Sequence, residues 1–425
     1  MKIDSRPSRV SQSGAPMPGA SPSQAQASDG SASCAAAPDG FVPGGGAEPP
    51  KPLDLGKVSK ALFEGESVHV RWKFRAKDDF SMPPAVSPDG ERVYACDGKN
   101  LYGLTRKGDL LWEEKLDSWT CSKPICGPDG SVYLWDKGKQ LKSFAPDGSL
   151  RWMHPFESSI QSSPAVGPDG TVFLCTQDRK LNALNGADGS LKWSAPMDFF
   201  GSPRPAVAAD GSVSLVDDQD MLYRFDGDGN LMWKKKSPGK VNGPLSAGRD
   251  GTTYVPSEDG KLYAFNGKGV QKWSHKAGSP LRKPPVEGDD GTLYLATFTG
   301  KSIQALTPEG KKKWEFPMEH FAEAPPALGK DGTIYVSGYD TNFYALNSEG
   351  SLLWKEKFEV RLSEPPVVGA DGSVYLAALD EHLYSFKTVE LQEESLAEEP
   401  ERGPRSIQID DTSVIIGGVK ISRKQ

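Results

Sequence analysis

Short apolar runs alternate with polar, glycine-containing turns from about residue 60 to residue 387, and no stretch among them keeps a helical period. From Pro164 the chain reads Pro-Ala-Val, Gly-Pro-Asp-Gly, Thr-Val-Phe-Leu, a polar turn, Lys-Leu-Asn-Ala-Leu, a second turn with glycine, and Ser-Leu-Lys-Trp. Branched and aromatic residues favour pleated, half-buried positions, while Asp-Gly and Asn-Gly supply the positive φ that tight hairpins need. This unit predicts four short strands, and its second-strand run returns at 292–295 and 333–336.

Two ladders set the phase of the repeat. Tryptophans stand at Trp72, Trp112, Trp152, Trp193, Trp233, Trp273, Trp314 and Trp354, separated by 40, 40, 41, 40, 40, 41 and 40 residues. Asp-Gly pairs begin at Asp89, Asp129, Asp169, Asp210, Asp250, Asp290, Asp331 and Asp371, with the same spacings. Strand-built repeats of about 40 residues predict an all-β fold, an eight-bladed β-propeller of four-stranded blades. The last unit begins near Pro365 and ends at Phe386 without a tryptophan strand, whereas 70–74 carries Trp72 ahead of the first complete unit. Placing the Trp72 strand outside the last unit closes the ring and removes both open edges. The eight indoles read as packing in the wedges between sheets, each N–H seeking an acceptor.

The units end in Gly-x-x-x-Trp segments, among them Gly108 to Trp112, Gly189 to Trp193 and Gly350 to Trp354. In these segments the chain resembles the pyrroloquinoline-quinone-like β-propellers over about residues 60–387. Quinoprotein dehydrogenases of that family use a vicinal disulfide, an acidic calcium constellation and a cofactor enclosed at the ring centre. No two cysteines adjoin here, and no single unit carries a distinctive set of carboxylates and amides. The chain is more similar to noncatalytic members, including the propeller of bacterial outer-membrane assembly, a role that implies a lipoprotein signal. The expectation is a noncatalytic protein-interaction scaffold with no cofactor. The alternatives are a quinone- or sugar-binding, enzyme-like propeller and a bacterial secreted effector engaging a host protein.

Composition adds flanking segments to the ring. The 425 residues carry a formal charge of −7, and much of the 46 Gly belongs to turns. Residues 1–56 form a Ser/Pro/Ala/Gly-rich leader without apolar periodicity, expected to lack a stable fold; 57–388 form the propeller. An acidic linker spans 389–406, with Glu390, Glu393, Glu394, Glu398, Glu399 and Glu401, and a β-prone tail spans 407–425. That tail is expected to dock on the ring, pair with another protein's edge or self-associate. No apolar run reaches the ~18 residues a membrane-crossing helix needs. Lys2, Asp4, Arg6 and Arg9 are followed by no hydrophobic region, so no standard secretory signal is expected. The expected location is the cytoplasm, or outside it by export without a standard signal peptide, in preference to the periplasm.

Function is then expected in the loops. Asp-Gly turns occupy one face of a propeller, and the longer connections after each tryptophan strand open on the other. Those connections hold Trp119, Lys123, Phe199, Phe200, Arg204, Lys240, Arg282, Lys283, His320, Phe321 and Arg361, a mixture of aromatic and basic residues suited to a protein or peptide partner. The plainer reading is that these rings pack their own loops. Lys123, Arg204 and Lys283 each precede a proline, as Glu364 does in the last unit, and are expected near the central opening, where an anionic peptide or small molecule would meet them. The net negative charge and the absence of recognition motifs argue against nucleic acid.

Candidate chemistry is sparse. Cys34, Cys96, Cys121, Cys126 and Cys175 match no zinc spacing, and their odd number favours a reducing compartment. His69, His154, His275, His320 and His382 are dispersed, with only His320, beside Phe321, a surface-site candidate. The repeated aspartates precede glycine in turns and do not have calcium-loop spacing.

Overall fold

The computed structural model describes residues 69–386, apart from 118, 121, 138, 199–203 and 323, together with the backbone of three strands near the carboxyl end. The leader, the acidic linker, Cys34, Cys121, Phe199 and Phe200 lie outside the described residues. Eight four-stranded antiparallel sheets form the ring. The first blade runs Ala85–Val86, Arg92–Cys96, Asn100–Thr105 and Leu110–Lys115 from inside to outside, and six more repeat this order. Inner strands of successive blades approach one another, as between Ala165–Val166 and Ala206–Val207.

The eighth blade is the predicted closure. Its strands Val367–Val368, Val374–Ala377 and His382–Phe386 are completed by Val70–Arg75, with Trp72 opposite Ser385 and Arg75 opposite His382. Strands far apart in sequence thereby seal the ring edge.

Asp-Gly turns form as the spacing predicts. In one, Asp290 accepts the Thr292 N–H at 2.9 Å and the Thr292 hydroxyl at 2.6 Å, and Gly291 takes a φ of 77°. The carboxylate is spent on its own turn, as in an Asx-turn.

Half-burial was the expectation for the strands, but the middle ones are buried on both faces, as Val172–Thr176 is along its whole length. Each blade is sandwiched between two others, so its middle strands have no solvent side. The core is accordingly divided among the seams. Eight apolar clusters each join two neighbouring blades, such as Phe173, Leu181 and Ala183 with Val213, Leu215 and Phe225.

The tryptophan ladder rivets the same seams on the Asp-Gly face. Seven indole N–H groups, from Trp72 to Trp314, donate to a backbone carbonyl of the next blade at 2.7–3.0 Å. The ring plane lies over that blade's Gly-x-x-x-Trp glycine. A Cβ on Gly310, whose φ is +78°, would sit 2.5 Å from the Trp273 ring. Trp354 instead stacks on His69, with ring centroids 4.4 Å apart and 11° between planes.

The three tail strands, Gln408–Asp410, Ser413–Ile416 and Val419–Ser422, pair antiparallel with one another.

Candidate protein-docking face

Two positions per blade build the face opposite the Asp-Gly turns. Trp119, Phe200, Lys240, Phe321 and Arg361 each stand ten residues before the aspartate of their blade's Asp-Gly turn. Gln177, Glu258, Phe298, Tyr339 and Leu379 each stand eight residues after it, in the turn between second and third strands. A backbone hydrogen bond holds the two positions side by side: Glu258 N–H donates to Lys240 C=O, Phe298 to Pro280 and Tyr339 to Phe321, at 2.8–3.3 Å. Lys137 with Trp119 and Gln177 with Ser159 repeat it. The main chain satisfies itself, which leaves both side chains free to vary without loss of the scaffold.

Towards blades 6 to 8 side chains at these positions join into one ribbon with Arg282, which stands two residues after Pro280. The Arg282 guanidinium lies 4.3 Å from the Phe298 ring centroid, and Phe298 lies 4.6 Å from Phe321. Phe321 stacks on Tyr339 at 4.6 Å with 25° between planes, and the Arg361 guanidinium covers Tyr339 at 4.6 Å. His320 joins from the side, 4.6 Å from Phe321 and 5.1 Å from Tyr339. The three rings are half-buried, Arg361 is exposed, and Leu379 beyond it is an exposed apolar residue.

Glu258 fixes the other end. Its Oε1 accepts from Asn242 at 2.9 Å, with Lys240 at 3.5 Å and Arg282 at 3.7 Å completing the cluster. The Asn242 hydrogen bond, working against burial and helped by the two cations, holds this carboxyl below its ordinary range.

Of the residues singled out in the sequence, Arg282, His320, Phe321 and Arg361 lie together, with Lys240 alongside through Glu258. Phe298, Tyr339 and Glu258 were not anticipated. Their signal was available in the phase: at that turn position Phe298, Tyr339 and Leu379 replace the polar Lys137, Gln177 and Asp218 of earlier units.

Trp119 belongs elsewhere on the ring and follows the plainer reading. Its indole lies against Gly98, where a Cβ would sit 2.6 Å from the ring, and Lys99 covers it at 4.6 Å. Lys123 and Arg204 each stand two residues before an inner strand, while Lys283 and Glu364 stand three before theirs, so the supposed equivalence of the four positions fails. A doubled proline in blades 6 and 8 causes the offset. Lys123 is half-buried, and its pKa is lowered, first by burial and then by the Arg204 charge, against the opposing pull of Glu364. The charges of Lys123, Arg204 and Glu364, from the connections into blades 2, 4 and 8, therefore sense one another.

No group of three or more His, Cys, Asp or Glu is placed to hold a metal ion among the described residues. Cys96, Cys126 and Cys175 are free thiols, and burial pushes each up to about 12. No helix among the described residues is long and apolar enough to cross a membrane.

A velcro-closed ring with variable residues on an invariant backbone frame defines a PQQ-like β-propeller of the binding kind. Residues 62–199, 197–315 and 299–394 match the family described as outer membrane protein assembly factor BamB, and the chain belongs to that family. It is a noncatalytic propeller resembling BamB, consistent with a protein-interaction scaffold and not with a quinone-dependent enzyme. No curated protein matches the chain in sequence.

Among solved structures, BamB from Moraxella catarrhalis shares the fold at 16% identity and a TM-score of 0.60, over 74% of this chain and 98% of that one. The computationally designed Ika8 protein matches at 12% identity and a TM-score of 0.63, over 74% and 98%. The C-terminal WD40 domain of Sif2 matches at 12% identity and a TM-score of 0.61, over 73% and 96%.

The family corrects the expected location. A chain belonging to a family described as an outer membrane protein assembly factor is not placed in the cytoplasm. The cysteine argument for a reducing compartment also fails on physical grounds. Burial keeps Cys96 and Cys175 protonated and out of reach of oxidants, so their free state says nothing of the surroundings.

Proposed function

We propose that this propeller holds a partner protein on the connection face, with the Arg282–Phe298–Phe321–Tyr339–Arg361 ribbon as its seat. One observation carries the reading: aromatic rings and guanidiniums from three connections and two turns form a continuous run of contacts that none of their strands requires. Half-buried rings bring contact area with little ordering cost, because these contacts already fix their rotamers. The mechanism is positioning: the blades stay rigid and the ribbon supplies a preformed surface.

The test pairs two double variants of the full chain, Phe298→Ala with Tyr339→Ala, and Lys107→Ala with Lys268→Ala on the opposite face. The protein recovered in crosslinked complex with the parent chain should be lost only from the first, at a cost in binding of roughly 2 kcal/mol or more. Undiminished recovery by the Phe298/Tyr339 variant would sink the assignment.

A further inference from the structure

The ribbon has an order along its length, and that order restricts what binds it. It begins in a guanidinium, passes through three rings in contact, the first pair tilted and the second stacked, and ends in a second guanidinium. Four contacts of 4.3–4.6 Å separate the two cations, which sets their separation at no more than about 18 Å. An extended chain rising about 3.3 Å per residue spans such a separation with at most five or six residues.

The ends are electrostatically distinct from the centre. Arg361 is exposed, and no carboxylate is paired with it among the described residues. Arg282 sees Glu258 only at 3.7 Å, an interaction shared with Lys240 and Asn242. Guanidinium N–H groups can donate to both oxygens of one carboxylate, a two-pronged fit that a lysine or an uncharged amide does not offer. Phe298, Phe321 and Tyr339 cover part of one another and remain half-buried, so the apolar ring surface left exposed between the two cations suits aliphatic side chains or proline.

Resting on the docking reading above, we infer that the seat takes an extended peptide segment of a partner, apolar over its middle and carrying a carboxylate near each end. The charge order gives selectivity: a segment with basic ends would face two like charges across the contact.

Fluorescence polarisation with the full chain tests this with three labelled octapeptides. The first has two glutamates at each end around four leucine, valine or proline residues; the second replaces the glutamates by glutamine; the third replaces them by lysine. The glutamate peptide should bind about tenfold or more tightly than the glutamine one and lose affinity as salt rises, and the lysine one should bind least. Arg361→Ala should reduce glutamate-peptide affinity about tenfold while leaving the glutamine peptide nearly unchanged. Phe298→Ala with Tyr339→Ala should abolish both. Equal binding of glutamate and glutamine peptides, indifference to Arg361→Ala, or no binding of the glutamate peptide at millimolar concentration each overturns the inference. Failure of the peptides with continued loss of partner in the Phe298/Tyr339 variant removes only the peptide chemistry; retention of partner in that variant removes the docking reading itself.

Discussion

Single residues in this propeller are constrained by what the next blade places against them. Gly310 combines a φ of +78° with a Trp273 ring 2.5 Å from any Cβ, whereas Gly211 has a similar φ of +78° and nothing within 4 Å. Gly310→Ala should lower the unfolding free energy by about 2–4 kcal/mol, and Gly211→Ala by only about 1 kcal/mol, since the second change brings backbone strain without overpacking. Urea denaturation of the two variants checks the difference. Glu315 gives a pH-dependent case. Its carboxyl is held down to about 2 by Lys312 first and then Ser302, against burial, with Gln304 adding to the effect. Its stabilisation is complete above the ordinary value of 4.5 and disappears as pH falls towards about 2. Glu315→Gln should thus be less stable than the parent at pH 7 by at most about 1 kcal/mol, because the carboxylate is partly exposed, and the gap between urea midpoints should close in acid.

At the scale of elements, the closing strand differs from the outer strands it imitates. Trp72 is 2% exposed, whereas Trp314 in the equivalent strand of another blade is half-buried. Trp72→Ala should cost about 3–5 kcal/mol and Trp314→Ala distinctly less, measured as shifts in the thermal unfolding of full-length variants. Strand count, phase and closure were legible because each rests on repeated local chemistry: an Asp-Gly turn and an indole eight times, and a glycine four residues before the indole seven times. The ribbon was legible only in part. Arg282, His320, Phe321 and Arg361 stood out because long connections tolerate unusual residues, but Phe298 and Tyr339 sit in short turns that read as simple strand reversals. Their partnership depends on a hydrogen bond between chain positions 18 residues apart, Tyr339 N–H to Phe321 C=O, that no local pattern announces. Arg224 was invisible for a related reason. It looks like a surface residue of the third strand, yet it is buried and bonds to Gly251 and Thr253 of the next blade.

Over the whole ring, stability is a closed circuit of neighbour contacts, because each apolar cluster joins one blade to the next. One weakened seam leaves both flanking blades gripped from their other sides, so no group of blades is released. Two weakened seams on opposite sides are different, since the blades between them are then poorly held at both ends. Gly148 packs on Trp112 between blades 1 and 2, and Gly310 packs on Trp273 between blades 5 and 6, so these seams divide the eight blades into two arcs of four. Gly148→Ala or Gly310→Ala alone should lower stability but keep one cooperative transition with an unchanged denaturant slope. Their combination should unfold in two steps, with near-ultraviolet and far-ultraviolet signals no longer coincident and the first slope smaller than that of the parent. Gly148→Ala combined with Gly189→Ala provides the control, because those seams isolate only blade 2, and most of the ring should remain one unit. A single coincident transition in the Gly148/Gly310 pair would mean that coupling reaches beyond nearest neighbours. The connection face would then be held by the ring as a whole and not by the blades beneath it.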